Sequence, residues 1–408
     1  MALLLLVRTG WGQDSPVTAS PEQPRLSSAA FITQRGGLPH VATRLSGGMP
    51  VTVAFLGGSI TYNHGWRDKI MGWLRDRYPT TAFHFIAAGI PSLGSPAHAF
   101  RLQQDVLDSG RVDWLFIEAA VNDRGNGVDS LTQLRSLEGI VRHALNSNPQ
   151  MDIVLMSFAD ELKTADYRSG IVPVEVRNHE AVAAHYGLPS IDLAREVRER
   201  IDHKEFTWAG DFKDLHPSPF GQELYFATMR TLLETCLGRP GTTVDGAPAT
   251  GLSAPTATSL PAPLDGYSFG NGGYVSPTGV AAPAGWTIDP DWKPADGAAT
   301  RPGFVDVPVL ETTQPGAVLT FSFAGNAVGI AVTAGPDAGI IGYSVDGGAE
   351  RRLDLFTPWS GGLHLPWYCV LGQGLKKGRH VLRLWVSEQK NTNSKGTACR
   401  IVHFLVNQ

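Results

Sequence analysis

The chain has 408 residues, with 34 Lys and Arg against 38 Asp and Glu, and its net charge of −4 is spread without long runs of one sign. That balance excludes the clustered basic face which nucleic acid or an anionic membrane surface would require. With 42% hydrophobic residues over this length, there is material for two or more packed domains.

The N-terminus, MALLLLVRTG, is apolar and then turns small and polar. It resembles the tail of a secretory signal peptide that lacks its basic start, so residues 1–30 are expected to be a signal remnant or a disordered arm of a secreted or periplasmic protein. No later run is long and apolar enough to span a bilayer. From residue 51 to 237, short apolar runs alternate with amphipathic ones. VTVAFLG, AFHFIAAG, VDWLFIEAA, MDIVLMSFA and PSIDLA read as strands, the first four of them buried on both faces as parallel sheets are. Helical periodicity falls at 66–77, 97–109, 130–146 and 174–186, and GQELYFATMRTLLETCLG closes the region with Gly238 as a C-cap. Such alternation predicts an α/β domain with a parallel sheet over residues 31–238.

Composition then changes. Residues 239–265 are rich in Pro, Gly, Ala, Thr and Ser and read as a linker. Beyond it, AVLTFSFAG, AVGIAVTAG, IIGYSVDGG, RRLDLF, HVLRLWVSE and CRIVHFLVN are short strands separated by turn signals, which predict an all-β, jelly-roll-like sandwich over 266–408. Cys369 and Cys399 share that region and are candidates for one disulfide, whereas Cys236 stands apart. No C-x-x-C spacing is present, and neither a metal nor a cofactor is expected.

The first strand ends in Gly57-Gly58-Ser59 and passes straight into a helix. Open α/β sheets bind ligands at that carboxyl edge, and two glycines permit a tight turn there. Alone, the triplet describes a capped turn as well as a nucleophile. Further segments fall at the same predicted edge: AAGIPSLGS after the second strand and AVND after the third. DLHPSPFG stands in a loop before the closing helix.

With GGSIT, these blocks occur in the order seen in the SGNH (GDSL-type) hydrolase superfamily, which the chain resembles over about residues 51–237. The resemblance implies a flavodoxin-like three-layer α/β/α domain. It also implies Ser59 as nucleophile, His216 as general base, and an oxyanion hole made by the N–H groups of Ser59 and Gly89 and the side chain of Asn122. The acid partner departs from the family pattern, since Lys213 occupies the slot three residues before the histidine where an aspartate is usual. Asp214 reaching His216 through a shifted loop, Asp211 reaching it from a longer one, and a Ser-His dyad oriented by a backbone carbonyl are all compatible with the sequence. Ala120 also stands where the family has glycine.

Glu118 is a charge inside an apolar strand and needs a partner, either Arg67 or Arg124, or else a role at the site. Trp66 and Arg67, one turn after Ser59, are candidate substrate-binding residues, with core packing the alternative for Trp66. Trp359 and Trp367, in the loop-rich stretch FTPWSGGLHLPWYC together with His364, are candidate sugar-stacking residues or sandwich core. The expectation is a serine esterase that removes O-acetyl groups from a carbohydrate. Its alternatives are a lipase or arylesterase of the same superfamily and an inactive carbohydrate-binding protein.

Overall fold

The computed structural model describes residues 24–238 and 259–408. The start of the chain and the linker as far as residue 258 lie outside the described residues. The first sheet contains β1 (Ile32–Thr33), β2 (Val51–Gly57), β3 (Phe83–Gly89), β4 (Trp114–Glu118), β5 (Asp152–Ser157) and β6 (Ser190–Asp192). Its spatial order is β1-β6-β5-β4-β2-β3, with β1 antiparallel to β6 and all other pairs parallel. The five parallel strands follow the flavodoxin-like order. The crossover direction reverses between β2 and β4, and the two strand ends there lead into Ser59 and Asn122.

Alternate residues of each central strand serve opposite faces. Val53, Phe55, Trp114, Phe116, Val154 and Met156 pack beneath α1 (Pro39–Ser46), α3 (Trp66–Arg77), α9 (Leu193–Asp202) and α10 (Pro219–Leu237). Ala54, Leu56, Leu115, Ile117, Ile153 and Leu155 pack beneath α4 (Ser95–Asp105), α6 (Ser130–Ser147) and α8 (Val174–Tyr186). Three shorter helices, α2 (Ser59–Tyr62), α5 (Ala120–Gly125) and α7 (Glu161–Arg168), begin at or just beyond the carboxyl ends of β2, β4 and β5. No helix among the described residues is long and apolar enough to cross a membrane.

The second domain is antiparallel. It comprises β7 (Gly272–Val275), β8 (Thr287–Trp292), β9 (Val307–Thr312), β10 (Val318–Ala334), β11 (Ile340–Val345), β12 (Arg351–Asp354), β13 (Leu365–Val386) and β14 (Cys399–Asn407). The strands run in the order β12-β11-β13-β10-β14-β9-β8, with β7 also on β14. Two segments expected as separate strands, AVLTFSFAG and AVGIAVTAG, are one long β10 with register shifts beyond Gly325. The stretch expected to be loop-rich enters β13 at Leu365, so Trp367 stands on a strand. Cys236, Cys369 and Cys399 are free and buried, and burial pushes the Cys399 thiol up to about 12.

The two domains share a core. The first half of β10 alternates between buried and exposed residues, but from Ala327 onward every residue is buried. Ala327 and Ala331 join Phe100, Leu137 and Ile140 of the first domain, while Val328, Ile330 and Val332 face the sandwich interior. The chain is already docked before β7. Leu264 and Asp265 donate their N–H groups to Glu138 at 2.5 and 2.9 Å, and Phe269 donates to the Arg135 carbonyl at 3.0 Å. Phe269 is fully buried against Phe100, with ring centroids 5.2 Å apart. A Cβ on Gly139 would lie 2.6 Å from the Phe269 carbonyl carbon. Gly139→Ala is therefore expected to cost about 1–3 kcal/mol by overpacking, read as a lowered urea midpoint; an unchanged midpoint would mean that the 264–269 segment yields without cost.

Candidate active site

The sheet's carboxyl edge explains the Gly-Gly-Ser triplet. A Cβ on Gly57 would strike the Thr61 side chain, and one on Gly58 would strike the Asn122 carboxamide and approach the Leu93 carbonyl to 3.3 Å. Gly57 is needed because α2 folds back over it, and Gly58 because helix α5 and the loop after β3 close over the turn. Ser59 is the first residue of α2, and its Oγ lies 2.8 Å from His216 Nε2. With the ring proton on Nδ1, the hydroxyl donates to Nε2, the arrangement a general base requires.

His216 is presented by an unusual loop. Thr207 caps the turn Trp208–Phe212, and Lys213 then adopts φ 84° and ψ −66°, the strained geometry of a tight γ-turn. Asp211 is engaged with that cap, its Oδ2 accepting from the N–H and Oγ1 of Thr207 at 2.8 and 2.9 Å. Those bonds hold the Asp211 carboxyl below its usual range and direct it away from the histidine. Asp214 turns back instead: its Oδ1 accepts the His216 N–H at 2.6 Å and stands 3.7 Å from His216 Nδ1. That is an ion-pair separation rather than a hydrogen bond, and the carboxylate is two-thirds exposed.

Gly89 and Gly94 differ in what their N–H groups face. Ile90 donates to the Gly57 carbonyl at 3.0 Å, so the Gly89 N–H, one residue earlier in β3, points away from β2 and from Ser59. Gly89 is instead packed beneath α2, where a Cβ would strike the backbone of Tyr62. The glycine beside Asn122 is Gly94, the N-cap of α4; a Cβ there would come within 3.3 Å of the Asn122 carbonyl carbon. The Gly94 N–H has no acceptor among the described residues. The Gly89 N–H is therefore not directed as the oxyanion role expected of it requires, whereas the N–H groups of Ser92 and Gly94, which line the same cleft, have no acceptor among the described residues.

The other candidates separate as clearly. Trp66 is fully buried and meets Phe55, Phe116 and Phe158 edge-on at 5.6–6.1 Å, so it is core and not a wall of the site. Arg67 is also buried, 3.4 Å from Asp68. Glu118 pairs with neither expected arginine, because Arg124 binds Asp166 and Glu175. Glu118 Oε1 accepts instead from Val121 at 3.2 Å and Phe158 at 3.4 Å. Trp367 is half-buried with its ring 6.0 Å from that of Trp359, which is exposed. Trp367 lines a cleft of about 390 Å³ between the domains, together with Ser92, Gly94, Asp129, Arg351 and Gln373. The cleft opens beside the Gly94 N–H. His364 lies outside it, bound to Asp296 at 3.0 Å. A second cavity, of about 300 Å³ around Asp152 and Ile153, belongs to the opposite, amino edge of the sheet. Among the described residues, no group of three or more His, Cys, Asp or Glu is placed to hold a metal.

Residues 55–224 match the GDSL-like lipase/acylhydrolase family. The matched stretch lies wholly within the first domain. Two solved structures of a two-domain esterase active on acetylated mannans, one co-crystallised with mannopentaose, superpose on the chain with TM-scores of 0.71 and 0.68. Each covers 93% of this chain and 98% of its own, at 19% and 21% identity, so the likeness is one of fold. It extends across the α/β domain and the β domain together. The comparison with curated proteins returned no match.

Two expectations about the first domain follow from this geometry. Replacing His216 by Ala should lower kcat on 4-nitrophenyl acetate by at least ~10³-fold, whereas Asp214→Ala should lower it by about tenfold or less, because an exposed carboxylate without a hydrogen bond to Nδ1 orients the ring weakly. Equal losses would contradict that ranking. The second concerns pH. Burial pushes both Glu118 and Asp123 up to about 7. For a carboxyl group raised in the folded chain, the ionisation penalty is absent below the unfolded value near 4 and complete above about 7. Asp123→Asn should therefore gain thermal stability relative to wild type as pH rises from about 4 to 7 and no further; a difference independent of pH would refute the shift.

Proposed function

We propose that the protein is a serine esterase that removes O-acetyl groups from a carbohydrate through an acyl-enzyme. The observation that carries this reading is the 2.8 Å Ser59 Oγ–His216 Nε2 contact beside Asn122 and the free N–H of Gly94. Ser59 Oγ attacks the acetyl carbonyl and passes its proton to His216 Nε2. The negative charge that forms on the carbonyl oxygen is taken by the N–H groups of Ser59 and Gly94 and by Nδ2 of Asn122, each donor being worth on the order of 3 kcal/mol in the transition state. Collapse expels the sugar alkoxide, which receives the proton back from His216. Water then repeats the sequence and releases acetate.

Three features support a carbohydrate as the alcohol. The cleft beside Gly94 is lined by both polar groups and Trp367, the mixture that sugar hydroxyls and pyranose faces require. Trp359 stands exposed next to it. The two-domain esterase that shares this fold along nearly its whole length is active on acetylated mannans.

The test compares wild type and Ser59→Ala on 4-nitrophenyl acetate, 4-nitrophenyl decanoate and acetylated mannan and xylan, measuring acetate release. Wild type should deacetylate the glycans, and Ser59→Ala should lose activity by ~10³-fold or more. A preference for the decanoate would favour a lipase-type reading. No hydrolysis of any ester would leave only glycan binding.

A further inference from the structure

Two carboxyl groups stand immediately beneath the oxyanion donors without forming part of the Ser-His pair. Glu118 is the last residue of β4 and is 1% exposed; Asp123 follows Asn122 in α5 and is not exposed at all. The bonds made by Glu118 join the start of α5 to the residue that follows β5. Asp123 reaches across to another element. Its Oδ1 accepts the N–H of Ser95 at 2.7 Å, and a Cβ on Gly94 would collide with the same oxygen. The side chain next in sequence to Asn122 therefore grips the residue next in sequence to Gly94.

This arrangement is costly for a merely structural contact. Oδ2 of Asp123 is buried with no partner among the described residues, a state that ordinarily costs about 1–3 kcal/mol and calls for a reason beyond packing. A fold that needed only to fill the space could hold an apolar side chain there.

We infer that Asp123 is a positioning residue for the esterase reaction, coupling α5 to the head of α4 so that the Asn122 carboxamide and the Gly94 N–H converge on one oxyanion, with Glu118 fixing the other end of α5. The inference rests on the esterase reading above. Its physical basis is that oxyanion donors act only when held within a fraction of an ångström of where charge develops, so that a displacement of about 1 Å costs ~10²-fold in rate. Ser59 and His216 lie on other segments and keep their contact when this coupling is lost.

The experiment removes the coupling from each side in the full chain. Asp123→Ala deletes the acceptor. Ser95→Pro removes the donor at the first position of α4 and sets its ring Cδ against Asp123 Oδ1 where the N–H was accepted, so that the head of α4 is forced away from α5; Gly94 already has the extended backbone that a following proline demands. Both should lower kcat on 4-nitrophenyl acetate about 10²-fold while KM changes by less than about threefold. Asp123→Asn, which retains an oxygen acceptor, should recover most of the loss. Combined with Asn122→Ala, Asp123→Ala should add less than it costs in the wild-type background, because one of the two donors it positions is already gone.

If Asp123→Ala does not fold, Ser95→Pro alone decides between the outcomes. Folded Asp123→Ala and Ser95→Pro proteins that keep wild-type kcat, or losses fully additive with Asn122→Ala, would overturn the inference. If wild type itself hydrolyses no ester, or Ser59→Ala is as active as wild type, the esterase reading fails instead, and the two failures are told apart by the same assays.

Discussion

A guanidinium group with no exposure to solvent closes the carboxyl edge of the first sheet. Arg101, on α4, donates from Nη2 to the carbonyls of Ala88 at 2.5 Å and Gly57 at 3.3 Å, and from Nη1 to Asp105 at 2.7 Å. Its Nε donates to His98 Nδ1, whose ring in turn donates from Nε2 to the Glu118 carbonyl. One helix thus gathers the ends of β2, β3 and β4 through the carbonyls of Gly57, Ala88 and Glu118, that of Gly57 also accepting the Ile90 N–H. A buried cation stripped of such partners typically costs about 3–5 kcal/mol, so the strand ends cannot drift from α4 cheaply. Everything at the site hangs from this clamp: Gly58 and Ser59 follow Gly57, α5 follows Glu118, and Gly94 heads the helix that carries Arg101.

Against that rigid edge, the histidine loop is the soft component. Both nearby aspartates spend their hydrogen-bonding capacity on backbone amides, Asp211 on Thr207 and Asp214 on His216 itself. The Asp214 carboxylate is exposed, and water and salt weaken what it offers the ring across 3.7 Å. The strand ends are thus held rigidly, while the His216 ring is only loosely oriented. Lys213, with its positive φ, is what turns the chain sharply enough to bring His216 over Ser59 without a longer loop.

Much of this was readable in the residues. Ser59 and Asn122 each follow a strand at the sheet edge, and the Pro-rich loop before the closing helix announced His216. Where the Gly89 N–H points was not readable, because only its pairing in β3, with Ile90 donating to Gly57, shows that it faces away from β2. Trp66 did carry a signal: with Ile70 and Leu74 it forms an i, i+4, i+8 stripe, and all three are fully buried. Trp367 was harder. Gly361-Gly362 and Pro366 mask the entrance to β13, whose 22 residues are held straight by pairing with β10, a partner distant in the chain that no local pattern reveals. The partners of Glu118 were hidden for the same reason, since backbone amides leave no trace in a charge pattern.

The shared core between the domains bears on how far the chain is modular. Phe269, Trp292, Phe304, Ala331 and Leu405 of the second domain belong to the same cluster of buried residues as Phe100, Leu137 and Ile140 of the first. A fragment ending at the close of α10 would strip the outer face of α4 and α6 and present a bare apolar surface to water. The proline-rich segment that looks like a natural place to cut is therefore a poor one. Transplanting the hydrolase half alone, by recombination or by the bench, would require a new cover for that face, and the two halves are best regarded as a single inherited unit.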